Sequence, residues 1–137
     1  YADRHARARS YKAGVYIAGH LNAGPLDARG ADYGAIFYDA RSSSGKRLAK
    51  IMAQALLEQC PELSDVRAVS CRDDRGEPDA WLWRPWSTIE GVYRGTPVGV
   101  CYEPAFVTCR KHRTLFTGSG LRRIGLALAL GVLRFYR

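Results

Sequence analysis

The chain predicts an α/β fold: a mixed sheet flanked by helices in a three-layer α/β/α arrangement. Three observations carry that prediction. Short apolar runs of strand length recur, VYIAG, YGAIFY and PVGVCY. They alternate with segments whose apolar residues follow a helical period. Glycine and proline fall at the junctions between the two kinds of segment. The 137 residues fit one domain, 1–137, and a hydrophobic share of 47% is enough for a real core.

Taken in order, Asp3 to Lys12 is rich in Ala and Arg and reads as a helix, which Gly14 ends. Val15 to Gly19 is a buried strand, apolar and β-branched at two positions. Asn22, Gly24, Pro25 and Asp27 make a loop, and Tyr33 to Tyr38 is the next strand. The clearest helix is SSSGKRLAKIMAQALLEQCP, where Leu48, Ile51, Met52, Ala55 and Leu56 fall on one face. Ser43 or Ser44 is expected to cap its start, and Pro61 marks its exit. Val66 to Ser70 reads as a weak edge strand, and CRDDRGEPDAW as a turn-rich loop. Pro97 to Tyr102 is an apolar strand ending at Glu103, which Pro104 holds extended. The last helix is expected from near Ser119 to about Phe135. Leu121, Ile124, Leu128 and Phe135 would share one face, while Ala127, Ala129 and Gly131 keep the helix slim for close packing.

The net charge is +8, mostly from arginine, which favours an anionic partner: nucleic acid, acidic lipid or an anionic cell-wall polymer. The arginines are spread along the chain, as on a solvated basic surface. Cys60, Cys71, Cys101 and Cys109 form no C-x-x-C pair, so no zinc ribbon is signalled. They read as reduced, mostly buried thiols, with disulfides an option for an exported protein. The polar, basic opening is no signal peptide, and the longest apolar run, IGLALALGVL, is too short to span a bilayer. A soluble protein is expected. A start at Tyr1, inside a helix, points to a fragment.

His20 and Glu103 are placed alike, each at the carboxyl end of an apolar strand. Ligands of open α/β sheets bind at such ends. A neutral imidazole binds Zn²⁺, and a nearby carboxylate can take a proton from metal-bound water. Catalytic zinc normally has three protein ligands, and neither His5 nor His112 has ligand spacing to His20. A hydrogen-bonded histidine at a strand end is the competing reading. His5, among arginines on a helix, and His112, in the basic turn CRKHRT, read as surface residues. Cys101 shares a face with Glu103; a small buried hydrophobe fits it better than a thiol nucleophile with His20 as base. Asn22 either hydrogen-bonds its own turn or orients His20. The carboxylates of CRDDRGEPD lack calcium-loop spacing, and Trp81, Trp83 and Trp86 read as packing rather than a sugar-stacking platform. FTGSGLRR is a helix start rather than a phosphate loop.

The ordered set VYIAGHLNAG, YGAIFYDARSSSGKRLAKIMAQAL, TIEGVYRGTPVGVCYEPAFV and HRTLFTGSGLRRIGLALALGVLRF resembles zinc-dependent N-acetylmuramoyl-L-alanine amidases. These are cell-wall hydrolases, autolysins and phage endolysins among them. The resemblance covers nearly the whole chain. It implies hydrolysis of the amide between N-acetylmuramic acid and L-alanine in peptidoglycan, with Zn²⁺ as cofactor. The family's zinc-binding histidine of the His-x-Asn-Ala motif falls on His20, and its catalytic glutamate on Glu103. The family's other two zinc ligands lie on an earlier strand and helix, which would precede Tyr1. The resemblance therefore implies a chain without its N-terminal part, holding zinc weakly and leaving an open sheet edge. The alternative is a basic α/β binding module for nucleic acid or an anionic wall polymer, without catalysis. Against nucleic acid, no helix carries a concentrated basic stripe interleaved with aromatics.

Overall fold

The computed structural model describes residues 2–23, 33–71, 89 and 98–137. In chain order these form α1 (Ala2–Ser10), β1 (Val15–Gly19), β2 (Tyr33–Tyr38), α2 (Ser43–Gln59), β3 (Asp65–Ser70) and β4 (Val98–Glu103). A 3₁₀ helix (Arg110–Phe116) and α3 (Gly118–Phe135) complete them. The four strands make one sheet in the order β1-β4-β2-β3. β1 runs parallel to β4 and β2 parallel to β3, while β2 meets β4 antiparallel. The sheet is therefore mixed, and among the described residues β3 is an edge strand, as the sequence predicts.

Alternation along the strands sorts their side chains onto two faces. Val15, Ile17, Ile36, Tyr38, Val66, Ala68, Val100 and Tyr102 face a core shared with α2 and α3. Tyr16, Ala18, Tyr33, Ala35, Phe37, Val69 and Cys101 face a second, smaller cluster that includes Ile89. α1 meets the sheet on this second side, where the His5 ring stands edge-on to Tyr16 at 5.2 Å. Helices thus lie on both faces, which makes the three layers.

α2 buries Leu48, Met52, Ala55 and Leu56 as its periodicity requires, with Ile51 half-buried at the margin. Its cap is Ser42, one residue earlier than expected, whose hydroxyl accepts the Gly45 N–H at 2.9 Å. Its exit matches the sequence: Cys60 closes the helix before Pro61. α3 begins at Gly118, capped by Thr117, whose hydroxyl accepts the Gly120 N–H at 3.3 Å. The face that α3 presents to α2 is narrower than predicted. Gly120, Ala127 and Gly131 are buried, Ile124, Leu128 and Phe135 pack partly, and Leu121 is exposed. The small residues set the contact line because they let the two backbones approach. A Cβ added at Gly131 would lie 3.1 Å from the Met52 Cα and 2.7 Å from its Cγ. Arg123 grips Glu62 through both carboxylate oxygens, and Arg134 reaches Glu58 at 2.8 Å, tying the outer edges of the same helix pair.

Three of the four thiols, Cys60, Cys71 and Cys101, are buried and Cys109 is half-buried; all four are reduced, as the sequence predicts. Burial pushes the Cys60 thiol up to about 11, which keeps it unreactive at neutral pH. The carboxylates of CRDDRGEPD and the three tryptophans lie outside the described residues. Among the described residues no single helix is long and apolar enough to cross a membrane.

Close approach at Gly131 gives a stability prediction with an internal control. Gly131→Leu is expected to cost about 1–3 kcal/mol, because the added atoms meet the Met52 backbone. Gly125, exposed on the same helix with nothing within 4 Å of an added Cβ, should instead gain about 0.5–1 kcal/mol as Gly125→Ala. Urea unfolding of the two variants beside the parent measures both; equal effects would mean that α3 does not dock through Gly131.

Candidate functional site

The site is built on the parallel pair β1 and β4. Their register runs from Val15 opposite Val98 to Gly19 opposite Tyr102. The next residue on each strand is His20 and Glu103. The His20 N–H donates to the Tyr102 carbonyl at 3.0 Å, so the ladder holds up to the imidazole-bearing residue. It then continues beyond the strands. The Asn22 N–H donates to the Ala105 carbonyl at 2.9 Å, and the Val107 N–H to the Asn22 carbonyl at 2.8 Å. Asn22 thus serves through its backbone, zipping the two strand exits together. Parallel neighbours lie about 4.8 Å apart. His20 and Glu103 leave the sheet side by side, both on the face of Ala18 and Cys101.

Glu103 is half-buried, and its surroundings work on it in opposite senses. Burial raises its carboxyl above the usual carboxylate range. A hydrogen bond from the Cys101 thiol, Sγ to Oε1 at 3.6 Å, and the charge of a protonated His20 pull the other way. Burial wins. A thiol is a weak donor, so the carboxylate is poorly compensated for the water it has lost. Cys101 is buried, which agrees with the small-hydrophobe reading, and it also does something composition does not show: it touches Glu103.

Two histidines depart from expectation. His112 is fully buried rather than on the surface. Its Nδ1 accepts the Phe106 N–H at 3.0 Å, across the bend that follows Glu103. In the 3₁₀ helix His112 and Leu115 stack on one side at a spacing of three, and that side faces inward. The arginines and lysine around it stay exposed, which is why the sequence of the turn reads as surface. His5 is also buried, at 4% exposure. α1 must turn one side to the sheet, and His5 with Ala8 forms the side that is not arginine. The signal for His112 was its place three residues before Leu115; the signal for His5 was the short stripe with Ala8.

The zinc question can be put to the donor set. A catalytic zinc takes three protein ligands and leaves one open position. Among the described residues no group of three His, Cys, Asp or Glu side chains is assembled for a metal ion. His5 and His112 are engaged elsewhere in the fold. The described residues alone therefore do not make such a centre; they supply one imidazole with a carboxylate beside it.

No protein-family model matches the sequence, and no curated protein matches it. Solved structures do. Cwp6 from Clostridium difficile superimposes with a TM-score of 0.72 at 15% identity, over 98% of this chain and 20% of that one. The N-acetylmuramoyl-L-alanine amidase AmiC2 of Nostoc punctiforme gives 0.71 at 16% identity, over 99% of this chain and 65% of that one. The CwlD amidase from Clostridioides difficile, solved in complex with the GerS lipoprotein, gives 0.69 at 20% identity, over 98% and 60%. The chain spans less than two thirds of the length of each. At these identities the likeness is one of fold: the mixed α/β sheet described above is the sheet these proteins share.

The raised Glu103 carboxyl links to stability. A carboxyl whose pKa is higher folded than unfolded favours the folded chain when protonated, and that contribution is lost as pH rises through the folded value. Glu103→Gln should therefore be more stable than the parent at neutral pH, with the gap closing in acid. Cys101→Ala, which removes the opposing hydrogen bond, should move the Glu103 titration further up. Carboxyl NMR titration and urea unfolding at acid and neutral pH test the two statements; a gap that ignores pH would mean the carboxyl is well solvated.

Proposed function

We propose that this chain carries the strand-end part of a peptidoglycan amidase site, acting on the amide between N-acetylmuramic acid and L-alanine. The observation that supports it most is the emergence of His20 and Glu103 together from β1 and β4, in a fold that known amidases of this activity share. Glu103 is the acid–base group in this reading. It takes a proton from the attacking water and returns it to the leaving amine. A desolvated carboxyl with a raised pKa suits that double duty, because it accepts and gives up a proton closer to neutral pH. Cys101 orients the carboxylate from below, and the ladder through Asn22 fixes its distance from His20.

In the same reading His20 is one of three ligands to a zinc ion, and the other two come from outside the described residues. Such an ion, when bound, polarises the scissile carbonyl and lowers the pKa of water. The anionic wall suits a chain of net charge +8. A nucleic-acid role is less well supported, because four arginines, Arg41, Arg67, Arg123 and Arg134, already hold carboxylates of the chain itself.

Two variants test the reading on purified cell walls and on a muramyl-L-alanyl peptide. Glu103→Gln is expected to lose at least about 100-fold in turnover while keeping its zinc affinity. His20→Ala is expected to lose zinc as well as turnover, read by metal titration. Turnover retained in Glu103→Gln removes Glu103 from the chemistry, and a zinc-loaded parent that releases no amine removes the amidase reading altogether.

A further inference from the structure

α3 is apolar on both sides, and the fold uses only one. Gly120, Ala127 and Gly131 turn toward α2, and Ile124, Leu128 and Phe135 close that contact. On a helical period Leu126, Ala129 and Leu133 fall on the opposite side, with Tyr136 beyond them. Leu126 is 49% exposed, Leu133 60% and Tyr136 62%. A single exposed leucine needs no explanation, but a stripe of apolar residues along one helix marks a surface that meets something.

The charges around the stripe are all of one sign. Arg122 and Arg137 stand at its two ends, both exposed, and no carboxylate among the described residues takes either. Arg123 and Arg134, on the flank, are already tied to Glu62 and Glu58. After Glu103 the chain contains no Asp or Glu at all. Tyr136 carries the surface further. Its hydroxyl packs against Gly14, leaving no room for a Cβ there. Gly14 closes the turn after α1, which holds Tyr11 and Lys12, both exposed. Two tyrosines and two cations thus gather at one end of a leucine stripe.

This pattern discriminates between partners. A second copy of the chain would set arginine on arginine. Antiparallel pairing about the middle of the stripe puts Arg122 against Arg137, and parallel pairing puts each against itself. Like charges across an interface repel. A surface that takes leucine, arginine and tyrosine along one helix is the boundary of an anionic bilayer, where apolar side chains enter the acyl region, cations meet headgroups and tyrosines sit between. α3 suits lying on such a surface rather than crossing it. It meets the 3₁₀ helix at a bend of 82°, and its inner face belongs to α2.

We propose that the outer face of α3 docks the protein on an anionic lipid surface. Leu126, Ala129 and Leu133 enter the acyl boundary, and Arg122 and Arg137 meet the headgroup phosphates. This goes beyond the amidase reading and does not depend on it. α3 lies on the first face of the sheet and Glu103 on the second, so a docked chain turns its strand-end carboxylate away from the lipid.

The test is co-sedimentation of the full chain with vesicles of phosphatidylcholine alone and of phosphatidylcholine with phosphatidylglycerol. The anionic vesicles are expected to bind about tenfold more strongly, and less so as salt rises. Arg122→Gln/Arg137→Gln should remove most of that preference. Arg4→Gln/Arg7→Gln strips the same two charges from α1, on the other side of the sheet, and should keep it. Leu126→Gln/Leu133→Gln should lower binding to anionic vesicles about tenfold. Leu126→Ala/Leu133→Ala, which keeps good helix formers, should lower it by less. Urea midpoints of all these variants should stay near that of the parent, because the positions are exposed. Equal binding to both vesicles, binding untouched by both leucine pairs, or an equal loss in Arg4→Gln/Arg7→Gln overturns the proposal. So does a dimer in sedimentation that the leucine variants abolish and that binds no vesicles, which gives the face to a second copy. Vesicle binding is read without cell walls or turnover, so its failure and that of the amidase reading are told apart.

Discussion

Everything at the site depends on the parallel pairing of β1 with β4. These strands are far apart in sequence, and pairing them brings His20 and Glu103, one from each strand end, side by side. Pairing them in register turns two strand ends into one. The register is not soft, because slipping by one residue would send Val15 and Ile17 to the wrong face and break the core under α2 and α3. Backbone bonds through Asn22, Ala105 and Val107 carry the pairing past the strands, and the His112 imidazole catches the Phe106 N–H just beyond Glu103. The exit from β4 is thereby held on both sides. Positioning at a site is only as good as the shell behind it, and here that shell is mostly backbone.

The first face of the sheet makes this possible by being rigid. α2 lies on it with a full apolar face, and α3 docks onto α2 along a seam of small residues. Close backbone approach trades side-chain area for contact density, which resists sliding. Arg123 and Arg134 then clip the edges of the seam to Glu62 and Glu58. Exposed pairs of this kind add little stability, so the seam rather than the charges sets the geometry.

Much of this was legible in the chain. Strand bounds follow from short apolar runs between turn residues, and β1 and β2 match the sequence residue for residue. His20 and Glu103 stand out because each ends such a run, and their adjacency needs only that the two strands pair. Other features were not legible, for identifiable reasons. Periodicity cannot distinguish Leu121 from Ile124, because α3 is apolar nearly all round and glycine, not leucine, marks its contact line. The cap of α2 moved to Ser42 because three serines in a row offer the same hydroxyl chemistry. His5 and His112 look like surface residues because their neighbours in sequence are charged, yet a helix or a 3₁₀ turn sends neighbours to different sides. The antiparallel pairing of β2 with β4, which puts Ala35 beside Glu103, is announced by no local pattern.

A buried and a half-buried carboxylate at opposite ends of the sheet show how differently one fold can serve two acids. Asp39, after β2, is 2% exposed and fully served: Arg41 binds both its oxygens at 2.9 and 2.7 Å, and the Arg41 backbone N–H adds a third bond at 2.9 Å. Three donors from one residue tie the group into the turn that follows β2. Glu103 is less buried yet worse served, with a thiol donor at 3.6 Å and an imidazole across the strand gap. A fold that can satisfy one acid with an arginine and leaves another to a cysteine is not short of donors; the chain has 21 Lys and Arg residues. An arginine in the place of Cys101 would neutralise Glu103 and remove the raised pKa on which the proposed acid–base role rests.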